Sequence, residues 1–330
     1  MSTLYITTQG SNVQKRSGQF LICKGANILQ NVPETHVKQM ILVGNINLTT
    51  PVISFCLQND IEVVFLSQGG KFRGRLNSMG SRSVEIRKKQ YEKSFDAEFC
   101  LRQARAIVSG KIRNQLAFLR RQAGGNLEIG REMESVKSLI VKAEKGSSIE
   151  SLLGIEGAAS AVYFRVFGKC FETPWKFEKR TSNPPKDEIN ALLSLSYTLI
   201  YNRFTTNLNL AGFDVFQGFF HQVKNGHAAL ASDLMEEFRQ PIADSLVLRL
   251  IHRKQLKMTD FTRKNGEIRL APEAQKVFFT EFEAKMESKR QTDFQGGQSL
   301  SFTNIIKQQV YHFARVIKGE EESYQSFVLK

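Results

Sequence analysis

The feature that most constrains the fold is a change of hydrophobic period part-way along the chain. Up to about residue 80 the apolar residues come in short runs, LYITTQG, QFLICKG, QMILVGN, VISFCLQND and IEVVFLS, rich in Val, Ile, Phe and Thr and closed by Gly, Asn or Asp. Such runs predict strands in a sandwich-like sheet. After SQGGKFRGRLNSMGS, a Gly and Ser stretch that carries Lys71, Arg73 and Arg75, the spacing becomes helical and stays so to the end. The expectation is an α+β chain, with a β-sandwich-like domain over residues 1–85 and an all-α domain over 86–330. The boundary lies between about residues 80 and 92.

Composition narrows the function. A chain of 330 residues is too long for one small core, and a hydrophobic fraction of 41% with only seven prolines excludes disorder. The formal charge of +14 favours a polyanionic partner, because neutralising phosphates releases counterions. No signal-peptide pattern and no apolar run of bilayer length is apparent, so a cytoplasmic protein without a membrane partner is expected. Cys23, Cys56, Cys100 and Cys170 form no C-x-x-C pair and read as small hydrophobes.

Val84 to Gln122 reads as a long basic helix or helix pair whose cations either face solvent or meet phosphates. The next helix starts at a capping box, Ser147 with Glu150. On it, Leu152, Leu153, Ala159, Ser160 and Tyr163 share the face of Glu156, so Glu156 is the polar exception on an inward stripe. An ion pair with an Arg would also explain it. KRTSNPPKD, residues 179–187, is a basic loop because consecutive prolines exclude regular helix. A helix then runs to Gly212. His221 precedes a turn at Asn225-Gly226, and the following helix carries Asp233, Glu236 and Glu237.

An ionisable group embedded in apolar sequence costs several kcal/mol unless compensated, so these positions report a metal, an ion pair or catalysis. Asp233 and Glu236, three apart, project from one helical face; His221 enters from the preceding segment and Glu156 from another helix. One imidazole with two or three carboxylates suits Mn²⁺ or Mg²⁺, and zinc is disfavoured without a second His or a Cys. Such an ion serves phosphodiester chemistry. No Walker A loop, G-x-S-x-G elbow or G-x-G-x-x-G is present, which argues against ATP hydrolysis, ester hydrolysis and dinucleotide redox chemistry. His227, His252 and His312 have no comparable acidic neighbours in sequence.

LLGIEGAASAVYF, RTSNPPKDEINALLSLSYTLIYN and GFDVFQGFFHQVKNGHAALASDLMEEFR, in that order, resemble the CRISPR-associated integrase family, which inserts new spacers into CRISPR arrays. The likeness is specific over about residues 150 to 260 and weaker over the rest. It implies an N-terminal β-domain, a helical catalytic domain, a homodimer, and two dimers assembled on a small ferredoxin-like CRISPR-associated partner. It places the metal ligands on Glu156, His221 and Glu236, with Asp233 as companion and Glu237 less favoured. Where relatives commonly have G-R-P-S, this chain has Gly226-His227-Ala228-Ala229, so the usual Arg phosphate contact is missing at that point.

The expected activity is metal-dependent exchange of phosphodiesters in double-stranded DNA, the 3′-hydroxyl of a captured duplex attacking the edge of a CRISPR repeat. Lys224 and Arg180 are candidates for phosphate binding near the metal, Arg73 and Arg75 for DNA contact, and Trp175 for stacking on a base or for packing. Two alternatives share the same residues: a metal-dependent nuclease using water, and an architectural DNA-binding subunit whose buried acids are structural ion pairs.

Overall fold

The computed structural model describes residues 3–329 except 77, 79–83, 125–127, 183, 223, 265 and 293–296. The N-terminal part holds two four-stranded sheets. In the first, β1 (Thr3–Ile6), β5 (Gln39–Val43) and β7 (Glu62–Leu66) run parallel and β8 (Phe72–Leu76) closes the edge antiparallel. The second orders β4 (Asn27–Pro33), β3 (Gln19–Lys24), β2 (Ser11–Arg16) and β6 (Ile46–Leu48), with only β2 and β6 parallel.

The two-residue period of a strand distributes these side chains between two cores. Met40, Leu42 and Val63 pack with Leu4, Val13, Phe20 and Ile22 from both sheets, whereas Ile41, Val43, Val64 and Leu66 point the other way, into the helical core. The middle of the first sheet is therefore buried on both faces, which explains why QMILV is a continuous apolar run.

VISFCLQND departs from its expected strand. It forms α1 (Thr50–Gln58), with Pro51 in the first turn and Val52 and Cys56 buried four residues apart. Val52, Phe55 and Cys56 have helical spacing, and Pro in the first turn costs no hydrogen bond. FRGRL, expected in a Gly and Ser stretch, is strand β8.

The basic segment is a helix pair, α2 (Val84–Ser94) and α3 (Ala97–Ala123). α4 (Gly130–Glu144), α5 (Ile149–Lys169) and α6 (Glu188–Ala211) follow. The cap of α5 is Ser148, which accepts from Ser151 N, one residue beyond the expected Ser147. α6 ends at Gly212, whose φ of +96° is accessible to glycine at little cost.

α7 (Ala229–Met235) passes into a 3₁₀ turn over Glu236–Phe238, a π-helical stretch over Arg239–Asp244 and then α8 (Ser245–His252). Pro241 has no N–H for the carbonyl four residues back, that of Glu237. Asn114 Nδ2 on α3 donates to that carbonyl instead, at 2.9 Å.

The part expected to be all-α also holds strands: β9 (Phe261–Lys264) pairs with β10 (Glu267–Leu270), and α9 (Pro272–Glu287) follows. A second pair, β11 (Lys289–Gln291) with β12 (Ser299–Ser301), precedes α10 (Phe302–Lys318). Polar contacts tie the two parts together: Arg75 pairs with Glu62 at 2.7 Å and donates to Asn202 at 3.0 Å, and Tyr5 Oη donates to Glu283 at 2.5 Å. The sequence boundary near residue 85 adjoins 79–83, which lie outside the described residues. Among the described residues no helix is long and apolar enough to cross a membrane. Cys23, Cys56 and Cys170 are buried and Cys100 half-buried, all as free thiols.

Candidate active site

Five elements converge on one cluster. α3 contributes Lys111, α5 Glu156, the segment before α7 His221, α7 Asp233, and the altered helical turns after it Glu236 and Arg239. The connection between α6 and α7 folds back on α7, with Leu230 N bonded to the Val215 carbonyl and His221 held against Asp233.

Asp233 is fully buried and acts on the backbone of that segment. Its Oδ2 accepts from Phe219 N at 2.7 Å and Phe220 N at 3.1 Å, and its Oδ1 from His221 N at 2.9 Å. Gly218 permits the approach, since a Cβ there would lie 2.8 Å from Asp233 Oδ2. Asp233 Oδ1 is also 2.7 Å from His221 Nδ1. A carboxylate only accepts, so Nδ1 carries a proton, and it is Nε2 that presents a lone pair when the ring is neutral. Nε2 faces Glu236, 3.8 Å from its Oε1. Burial alone would lower the His221 pKa, but the hydrogen bond and charge of Asp233, with the charge of Glu236, outweigh it and raise it.

Glu236 lies among cations. Arg239 Nη2 is 2.9 Å from Oε1 and Lys111 Nζ 2.7 Å from Oε2, the latter off the hydrogen-bonding direction, so buried Oε2 accepts no hydrogen bond. Burial would raise the carboxyl, but the charges of Arg239, Lys111 and His221 prevail and hold it at about 2. Lys111 Nζ also pairs with Glu156 Oε1, which accepts from Ser160 Oγ at 2.9 Å as well. Glu156 is half-buried on α5, between buried Leu152, Ala159 and Tyr163; Leu153, expected on the inward stripe, is exposed.

Beneath the cluster, Tyr163 and Tyr197 donate to Asp244 at 2.7 and 2.6 Å. The guanidiniums of Arg180 and Arg239 lie 5.1 and 4.8 Å from the Tyr197 ring centroid. Arg180 is further held by Asn190 Oδ1 and Ser194 Oγ, each at 3.0 Å. The proline loop thus turns Arg180 inward, onto Tyr197, Asn190 and Ser194.

The other sequence candidates separate by exposure. Lys224 and Arg73 are exposed, whereas Arg75 is committed to Glu62 and Asn202. Trp175 packs its edge against Phe261, with ring centroids 6.0 Å apart. Glu237 faces away from Glu236, accepting from Tyr324 Oη at 2.5 Å, Gln309 Nε2 at 2.9 Å and Phe327 N; burial pushes its pKa to about 7. His312, which has no acidic neighbour nearby in sequence, is paired with Glu321 from beyond α10. His227 stacks on Tyr201, and His252 Nε2 is 2.8 Å from the Cys170 carbonyl.

A family model for CRISPR associated protein Cas1 matches residues 4–284. The chain belongs to the Cas1 family. It is 30% identical, over its full length and 98% of the relative, to CRISPR-associated endonuclease Cas1 3 of Thermus thermophilus. It is 35% identical, over 99% of its length, to a CRISPR-associated exonuclease Cas4/endonuclease Cas1 fusion of Geobacter sulfurreducens, of which it spans 60%. Among solved structures it superposes on a chain of a Cas6-RT-Cas1–Cas2 complex with a TM-score of 0.86 and 25% identity, covering all of this chain and 36% of the other.

The donor set of this Cas1-family chain fits a hard divalent ion. It offers two carboxylates from separate elements, one of them with an oxygen that accepts no hydrogen bond, and an imidazole whose free nitrogen faces the second carboxylate. Among the described residues no group of three His, Cys, Asp or Glu already has metal-holding spacing. The Lys111 ammonium stands between Glu156 and Glu236. Lys111 and Arg239 are site residues that the sequence pattern does not single out. Lys111 is one cation among many in a basic helix, and only the buried apolar residues three and four before it, Val108 and Ile107, mark its face as inward.

Proposed function

We propose that this chain is a metal-dependent DNA integrase that joins a short captured duplex to a CRISPR repeat by 3′-hydroxyl transesterification. The observation that carries it is Glu236, which faces His221 Nε2 through one oxygen and shares the Lys111 ammonium with Glu156 through the other, in a protein of net charge +14. Glu156, His221 and Glu236 would hold Mg²⁺ or Mn²⁺. When bound, that ion lowers the pKa of the attacking hydroxyl and neutralises charge on the phosphate.

The chain's own residues do the rest. Asp233 fixes the tautomer and direction of His221, and Arg239 and Lys111 keep Glu236 ionised. Lys224 and Arg73, both exposed, offer charge to DNA phosphates. For Arg75, Arg180 and Trp175, structural roles fit better than contact with DNA, given their partners. One phosphodiester is exchanged for another, consistent with a chain that has no nucleotide-binding loop.

The same reading includes residues 1–85 as a dimerisation and DNA-contact domain and 86–330 as the catalytic domain, working as a homodimer in the cytoplasm of a prokaryote. It also includes a small ferredoxin-like CRISPR-associated partner; Cas2, named in the complex that the fold matches, favours a partner protein, without bearing on that partner's fold.

The test is strand transfer from a labelled duplex to a supercoiled plasmid bearing a CRISPR repeat, in Mn²⁺, Mg²⁺ or EDTA, with and without the partner. Label joined to plasmid only with metal and only with Glu156 intact is expected. Relatives called endonuclease make hydrolysis the second reading, and metal-dependent shortening without joining would select it. DNA binding with no bond broken under any ion would leave an architectural subunit.

A further inference from the structure

Lys111 is anomalous for a lysine on a helix rich in exposed cations. Its side chain is only 7% exposed, and its ammonium contacts two carboxylates from different elements, Glu156 on α5 and Glu236 after α7, the second at 2.7 Å. A buried lysine of this kind is held by its ion pairs, and the carboxylates are held by it in turn.

We propose that Lys111 is a built-in stand-in for the divalent ion: its ammonium bridges Glu156 and Glu236 in the metal-free protein, and ion binding requires its displacement. Lys111 thereby sets how tightly the ion is held. The inference rests on the metal assignment above.

Three observations carry it. The first is position, because an ion shared by Glu156 and Glu236 would stand where Nζ stands, and two cations cannot both occupy that spacing. The second is that Glu236 Oε2 accepts no hydrogen bond even though Nζ is close, so the ammonium balances its charge without satisfying its geometry. An ion lying on the lone-pair direction would do both. The third is that the three ligands lack ion-holding spacing as they stand, as expected if they are arranged around an ammonium. Arg239 cannot serve as the stand-in, because it touches Glu236 alone among the ligands.

The lysine also has somewhere to go. Its stem has four rotatable carbons. The Glu156 side chain is 23% exposed, so the site meets solvent on that side and gives a displaced ammonium room. The device keeps two acids compatible with a folded metal-free chain at the expense of ion affinity.

The experiment is calorimetric titration of the full chain with Mn²⁺ at mildly alkaline pH, where the carboxylates stay ionised, alongside melting curves with and without Mn²⁺. Wild type, Lys111→Gln, Lys111→Met, Lys111→Arg and Glu156→Ala are compared. Lys111→Gln and Lys111→Met are expected to lower the Mn²⁺ Kd about tenfold or more, about 1.4 kcal/mol. They should also lower the metal-free Tm, with the deficit shrinking at saturating Mn²⁺. Lys111→Arg, which keeps the charge and the fold, should not tighten binding; if it does as Lys111→Gln does, charge competition is refuted. If wild type binds Mn²⁺ in a Glu156-dependent way with a Kd that Lys111→Gln and Lys111→Met leave unchanged or weaken, the stand-in role falls and the metal site survives. If neither wild type nor Lys111→Gln binds Mn²⁺ through Glu156, the metal assignment falls and takes the stand-in role with it. Should the neutral variants not fold without metal, Mn²⁺-bound wild type decides: Nζ must have left at least one of the two carboxylates, and an unmoved ammonium refutes displacement.

Discussion

Asp233 offers a sharp test because its partners can be enumerated. Asp233→Ala removes the acceptor of three backbone N–H groups, those of Phe219, Phe220 and His221 at 2.7, 3.1 and 2.9 Å, together with the partner of His221 Nδ1. Each buried donor left unpaired costs about 1–3 kcal/mol, so the predicted loss is about 3–6 kcal/mol once partial rehydration of the segment is allowed for. Asp233→Asn is the finer variant. Either orientation of the carboxamide sets its NH₂ against N–H donors: those of Phe219 and Phe220, or that of His221 together with Nδ1. In the second orientation Nδ1 becomes an acceptor and the ring proton moves to Nε2, which removes the lone pair that faces Glu236. Urea unfolding followed by circular dichroism measures the loss as a lower midpoint at unchanged slope, and ¹⁵N spectra of the His221 ring identify the tautomer. A loss for Asp233→Ala below about 1 kcal/mol would refute the assignment of Asp233 as the fastening of this segment.

Gly218→Ala forces a Cβ to within 2.8 Å of Asp233 Oδ2 and 2.9 Å of Ala229 Cβ, and should cost about 1–3 kcal/mol by thermal unfolding. Asp244 is raised from 3.8 to about 6, first by burial and against the hydrogen bonds of Tyr197 and Tyr163. Because the folded value exceeds the unfolded one, the native state keeps a proton that the unfolded chain releases, and stability falls as pH rises from about 4 to about 6. The total is about 3 kcal/mol, at about 1.4 kcal/mol for each pH unit between the two values. The stability of wild type minus that of Asp244→Asn should fall across that window and level off above it; a flat difference would contradict the argument. Lys224→Ala and Arg73→Ala should each make DNA binding less sensitive to salt, lowering the log–log slope by about 0.9 for each phosphate left without its cation, with Tm unchanged. Arg75→Ala should instead lower stability by about 1–3 kcal/mol, since it removes the cation paired with buried Glu62 and leaves that carboxylate to Gln39 and Thr206.

The strands of the first sheet were legible in sequence because β5 and β7 are continuous apolar runs with turn residues at their ends. VISFCL misled because a short apolar run does not distinguish strand from helix by length alone; Pro51 and the four-residue spacing of Val52 and Cys56 were the overlooked signals. Within the site, Glu156, His221 and Glu236 were legible as polar exceptions in apolar sequence. The separate work of Asp233 was not, because helical spacing puts it and Glu236 on one face, and only the fold shows that Asp233 is taken up by the backbone of residues 219–221 while Glu236 meets Arg239 and Lys111. Arg239 reaches Glu236 from a π-helical stretch whose preceding turn is bonded by Asn114, far back on α3, so no local pattern reports that arrangement. Arg180 and Lys111 fail for the same reason. A basic residue in sequence carries no sign of whether it meets solvent, a phosphate or a buried acid.

The most direct measurement of the central claim is anomalous diffraction from crystals grown with Mn²⁺. The account predicts one strong peak within about 2.5 Å of oxygens of Glu156 and Glu236 and of His221 Nε2, with Asp233 still bonded to the backbone of residues 219–221. Mn²⁺ bound elsewhere, or on Asp233 with His221 turned away, would contradict it.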